Sequence, residues 1–97
     1  MTEAELKRAV LTLAYRHGWL VYHVPATNVR GSQGRGYPDL TLARDGDVRW
    51  LELKQDKGRV QPNQWEWIAA LGGDGTADAR ARVIRPADLP SLEDWLR

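Results

Sequence analysis

Asp39 follows Pro38 in the run Gly36-Tyr37-Pro38-Asp39-Leu40, and Glu52 precedes Lys54 by two positions in Trp50-Leu51-Glu52-Leu53-Lys54. Two carboxylates and a compact ammonium are the parts from which a divalent-metal hydrolytic site is made. Side chains alternate along a strand, so Trp50, Glu52 and Lys54 share one face while Leu51 and Leu53 share the other. Asp39 sits at a strand entrance, because Pro38 lacks an N–H and pairing there is loose. Between the two runs, Arg44-Asp45-Gly46-Asp47 carries the Asp-Gly pair of a tight hairpin. The hairpin brings the Asp39 entrance beside the far end of the next strand, so that the three charges converge at one sheet edge.

Converging carboxylates raise each other's pKa unless a cation lies between them. Mg²⁺ relieves that cost: it takes oxygen ligands, keeps several waters and commonly uses one or two carboxylates together with substrate phosphates. Asp39 and Glu52 are the expected ligands, with the Leu53 carbonyl as a further one. Lys54 beside the metal would orient or help deprotonate an attacking water, or neutralise charge developing on phosphorus. Against this stands a plainer reading, a weak surface ion pair between Glu52 and Lys54 with Asp39 capping a turn. Pro-Asp followed by Glu-x-Lys arises often in charged sequences, so the pair alone decides little.

The elements that must hold these residues are legible around them. Thr2 and Glu5 form a capping-box pattern, and Leu6, Val10, Leu13 and Ala14 recur at helical spacing, predicting a helix from about Glu3 to His17. Trp19 to Val24 reads as a strand ended by Pro25; the glycine-rich stretch to Gly36 reads as a loop. Strands are predicted at Leu40–Ala43 and Val48–Lys54. Pro62 and Asn63 open a helix through Leu71, stopped by Gly72-Gly73. Arg82–Arg85 is a last strand, and Ser91 caps a short terminal helix containing Leu92, Trp95 and Leu96. The order is α-β-β-β-α-β-α, an α/β fold with a mixed sheet flanked by helices.

Ninety-seven residues, 42% hydrophobic and 28% charged, make one domain, 1–97, with no room for a separate recognition module. The chain has no cysteine, which removes disulfides, thiolate metal sites and thiol nucleophiles. Its start has no signal-like pattern and no stretch approaches a membrane span, so a cytoplasmic protein is expected. The net charge of +1 gives no global field for nucleic acid, leaving local clusters to supply it.

With these residues in place, the chain resembles the PD-(D/E)xK nuclease superfamily and, more narrowly, the virus-type replication-repair nuclease (VRR-NUC) domain. "GYPDL", "WLELK", the tail "KGRVQPNQWEW" and an acidic first helix ending in "HGWLVYHV" occur in the family's order over nearly the whole chain. The resemblance implies metal-dependent phosphodiester hydrolysis leaving 5′-phosphate ends, with Asp39 and Glu52 as metal ligands and Lys54 as base or water positioner. It implies a bacterial or phage-infected host cytosol as the setting. It also implies an acid from the first helix. Glu3 continues the edge of the stripe through Leu6, Lys7 and Val10, whereas Glu5 is the capping-box partner of Thr2, so Glu3 is assigned to the site. Gln64 heads the stripe of Trp67, Ile68 and Leu71 and should point to the sheet, either positioning water or phosphate or satisfying a backbone group. Lys7 stands where the family usually has glutamine; it would contact phosphate or turn outward.

Arg30, Arg35, Lys57 and Arg59 fall in the two polar loops adjoining the site and are expected to form a phosphate-binding rim, with ordinary loop solvation as the alternative. The five tryptophans read as core anchors in a chain without phenylalanine, with one left over for stacking or subunit contact. The expected activity is a Mg²⁺- or Mn²⁺-dependent DNA endonuclease; the alternative is a non-cleaving nucleic-acid-binding module or adaptor on the same fold. A small domain gains substrate surface by pairing, so a homodimer cutting four-way junctions is expected, with Trp95 and Leu96 in the contact.

Overall fold

A computed structural model describes residues 1–24, 34–76 and 78–97. Helix α1 spans Glu3–Arg16 and opens on the predicted capping box: the Thr2 hydroxyl accepts from the Glu5 N–H at 3.1 Å, and Glu5 accepts from the Thr2 N–H at 2.7 Å. Strand β1 covers Leu20–His23, β2 Leu40–Arg44 and β3 Asp47–Leu53. Helix α2 runs Pro62–Ala70, β4 Ala81–Ile84, and a 3-10 turn at Pro86–Asp88 leads into α3, Leu89–Leu96. The predicted element order therefore holds among the described residues.

The sheet order is β1-β2-β3-β4, antiparallel through the first three strands and parallel between β3 and β4. Asp45 (φ 52°) and Gly46 (φ 82°) both take the left-handed conformation, as the two central residues of a tight β2–β3 hairpin must. Leu40, Leu42, Leu51 and Leu53 point to one side and pack with Leu6, Val10 and Ala14 of α1, and with Leu92 and Leu96 of α3. Trp19 closes this core and donates to the Leu96 carbonyl at 2.7 Å. The Arg44 guanidinium lies 4.1 Å over its ring and donates to the carbonyls of His17, Leu96 and Arg97, satisfying the ends of α1 and α3 at once. The opposite sheet face receives α2.

Three expectations are corrected. Ser91 is not the cap of the last helix: α3 begins at Leu89, and the Ser91 hydroxyl donates to the Asp88 carbonyl at 3.1 Å. Pro86 and Pro90 sit where an opening turn leaves N–H groups unpaired, so the chain coils earlier than the serine indicates. Asp39 and Glu52 lie at the ends of two central strands rather than at a sheet edge, because β1 and β4 flank the hairpin. Trp95 and Leu96 are not an exposed contact surface either. Leu96 is fully buried, and the Trp95 indole donates to the Ala79 carbonyl at 3.1 Å with Arg49 and Arg82 stacked on it. Of the tryptophans, Trp65 is the exposed one, at 52%.

Candidate active site

The segment before Asp39 is fixed by close contact with α2. Gly36 has φ 87°, and a β-carbon there would stand 2.7 Å from the Asn63 main chain, so only glycine permits this approach. The Tyr37 ring meets Trp67 edge-on at 5.0 Å, its hydroxyl accepts from the Trp50 indole at 2.8 Å, and the Trp67 indole donates to the Arg35 carbonyl at 3.1 Å. Strand, loop and helix are thereby locked around the Pro38-Asp39 step.

The hairpin register then does the pairing. Leu40 faces Leu51, so one step outward Asp39 lies across from Glu52. Asp39 Oδ2 accepts from the Leu53 N–H at 2.8 Å, just beyond the last β2–β3 pair. On α2, Gln64 holds two groups: its Oε1 accepts from the Gln61 N–H at 2.8 Å and its Nε2 donates to Glu52 Oε2 at 3.1 Å. Gln64 thus points to the sheet, as its helical phase predicts. Lys54 Nζ is 3.8 Å from the same Glu52 oxygen.

Glu52 is only 3% exposed, and its Oε1 is buried with no hydrogen-bond partner among the described residues. Its pKa is pushed up to about 8, first by burial and next by the charge of Asp39, with Lys54 opposing and the more distant charge of Glu3 adding to the rise. A buried acid with an orphan oxygen beside a second acid is an arrangement short of positive charge.

On the α1 side of Asp39 lies a pocket of about 220 Å³ lined by Glu3, Ala4, Lys7, His23, Val24, Asp39 and Leu53. Glu3 and Lys7 therefore reach the site, while Glu5 is occupied by the capping box. His23 was not singled out by sequence. It ends β1 opposite Leu40, and the Val24 N–H donates to the Asp39 carbonyl at 3.3 Å; its position before Pro25 at a strand end was the available signal.

A second residue missed by sequence reasoning is Arg85. It donates to the carbonyls of Gln55 at 2.7 Å and Gly58 at 2.8 Å, clamping the turn that follows Lys54, while the Lys54 N–H donates to Ile84 at 3.0 Å. Arg35, Lys57 and Arg59 are exposed, the last two on the segment leaving Lys54; Arg30 lies outside the described residues.

The residues present fit a divalent cation, which would supply the charge Glu52 Oε1 lacks. No group of three or more histidine, aspartate or glutamate side chains forms a complete ion site among the described residues. A cation here would draw on Asp39, Glu52 and, from the pocket, Glu3 or the Leu53 carbonyl, with water and substrate oxygens completing its shell, as suits Mg²⁺.

Comparison with known proteins gives no match: no family model, no curated protein and no solved structure is significantly similar to this chain. The fold stands as mixed α/β with a four-stranded sheet among the described residues, and no helix there is long and apolar enough to cross a membrane.

Proposed function

We propose that the chain is a Mg²⁺- or Mn²⁺-dependent nuclease of the PD-(D/E)xK type, similar to VRR-NUC domains, that hydrolyses phosphodiester bonds in DNA. The observation that carries this reading is Glu52: buried to 3% exposure, one oxygen unpartnered, and set beside Asp39. A surface ion pair would leave both partners in water at little cost. Burying a carboxylate against another carboxylate costs several kcal/mol unless a cation compensates, which makes the plain structural reading expensive.

The roles follow from the contacts. Asp39 is oriented by the Leu53 N–H and Glu52 by Gln64, so both carboxylates are held before any ligand arrives. A bound divalent cation supplies Lewis-acid activation of water and charge neutralisation at the phosphate. Lys54, tethered through its main chain to β4, presents its ammonium beside Glu52 to orient the attacking water or stabilise charge at phosphorus. Glu3 adds negative charge from α1. The alternative of a non-cleaving binding module leaves this constellation without a task. Branched DNA and a homodimer remain part of the proposal as its substrate and assembly, without Trp95 and Leu96 as the contact.

The test is incubation of the purified chain with linear and four-way-junction DNA in Mg²⁺, Mn²⁺ or EDTA, beside Asp39→Asn. Metal-dependent cleavage lost in the variant, together with weaker Mn²⁺ binding by calorimetry, is expected. DNA binding without cleavage in any metal would favour the binding module.

A further inference from the structure

DNA presents a row of phosphates, and a cleft that cuts it needs cations on each side of its carboxylates to hold the strand in line. Lys54 serves the α2 side of Asp39. The α1 side has its own cation, Lys7, and a hydrogen-bonding imidazole, His23, lining the same pocket as Asp39.

We infer that Lys7 and His23 form a second phosphate subsite, which takes the phosphodiester next to the one attacked and so sets the direction in which the strand crosses the sheet end. The inference rests on the nuclease reading above. Three observations carry it. The pocket, about 220 Å³, has room for a phosphate, since it equals roughly seven waters at about 30 Å³ each. His23 is tied to Asp39 by backbone pairing: it faces Leu40 across the β1–β2 ladder, and the next N–H binds the Asp39 carbonyl. Its distance from the reacting centre is therefore set by the sheet and not by a loose loop. Ala4, at the first turn of the 14-residue α1, brings the positive end of that helix to the same pocket. Glu3 shares the pocket and would repel a phosphate, but its charge also acts on Glu52, so it belongs with the cation-binding acids while Lys7 and His23 face the anion.

The experiment measures fluorescence anisotropy of a short labelled DNA duplex in Ca²⁺ over a range of NaCl, with wild type, Lys7→Gln, His23→Gln and the double variant. Neither side chain lies in the core, so the variants keep the fold. Calorimetric Ca²⁺ titration without DNA runs beside it. Lys7→Gln should weaken DNA binding about 10-fold and lower the log–log salt slope by about one; His23→Gln should weaken it about 3- to 10-fold. Ca²⁺ affinity should not change in either. Unchanged DNA affinity in both single variants would overturn the subsite, and so would loss of Ca²⁺ affinity in His23→Gln, which would make the imidazole a metal ligand. If wild type cuts DNA while the variants bind like it, only the subsite falls; if wild type neither binds nor cuts DNA, the nuclease reading falls with it.

Discussion

Replacing Glu52 by glutamine should make the metal-free protein more stable at alkaline pH, although it removes a proposed ligand. The folded-state pKa of Glu52 is about 8 against an ordinary value of 4.5. Below pH 4.5 both folded and unfolded chains hold the proton, and the favourable contribution of the neutral acid is present in full. As pH rises from there to about 8, the unfolded chain gives up the proton while the folded chain keeps it, so stability falls. At about 1.4 kcal/mol per pH unit, the whole window amounts to about 4 to 5 kcal/mol. Relaxation and water entry around a buried acid reduce that figure, so on the order of 2 to 3 kcal/mol is assigned to Glu52. Glutamine is neutral at every pH, keeps the side chain's length, and can accept from Gln64 Nε2 as Glu52 does. Thermal melts in EDTA should show wild type and Glu52→Gln alike near pH 4.5, and the variant melting about 10 to 20 °C higher near pH 8.5, at about 4 to 8 °C per kcal/mol. Mg²⁺ at the alkaline pH should raise the wild-type midpoint and leave the variant unmoved, since only a ligand bound to the folded state stabilises it. Parallel pH profiles for the two proteins would refute the claim that Glu52 is buried against uncompensated negative charge.

Lys54→Ala should reduce turnover about 100-fold or more with DNA and metal affinity retained, measured by single-turnover cleavage; weak binding with normal cutting at saturation would make it a phosphate-binding residue. Glu3→Gln should impair cleavage more than Glu5→Gln, because Glu3 lines the pocket while glutamine still completes the capping box at position 5; the reverse order of activities would contradict that placement. Gly36→Ala should destabilise the fold by about 1 to 3 kcal/mol in urea titration, since the left-handed φ and the Asn63 main chain both oppose a β-carbon; a change under about 0.5 kcal/mol would show that the loop simply shifts.

The local features of the site were legible in the residues alone. Strand alternation and the Asp45-Gly46 turn are settled within a few positions of the chain, so the convergence of Asp39 with Glu52 could be read from their spacing. The same holds for helix phase: it put Gln64 toward the sheet and separated Glu3 from Glu5, because a 3.6-residue period needs no knowledge of the partner. What the sequence could not carry depends on segments far apart along the chain. The 3% exposure of Glu52 and its missing hydrogen-bond partner arise only when α2 closes over the sheet. Arg85 clamps the turn after Lys54 from 27 to 30 positions away, and His23 reaches the pocket because β1 pairs with β2, a partner well separated from it along the chain. Trp95 and Leu96, an apparent interface by composition, are enclosed because α3 folds back onto α1 and the sheet. Burial and long-range pairing are properties of which elements meet, and periodicity states only which face each element offers.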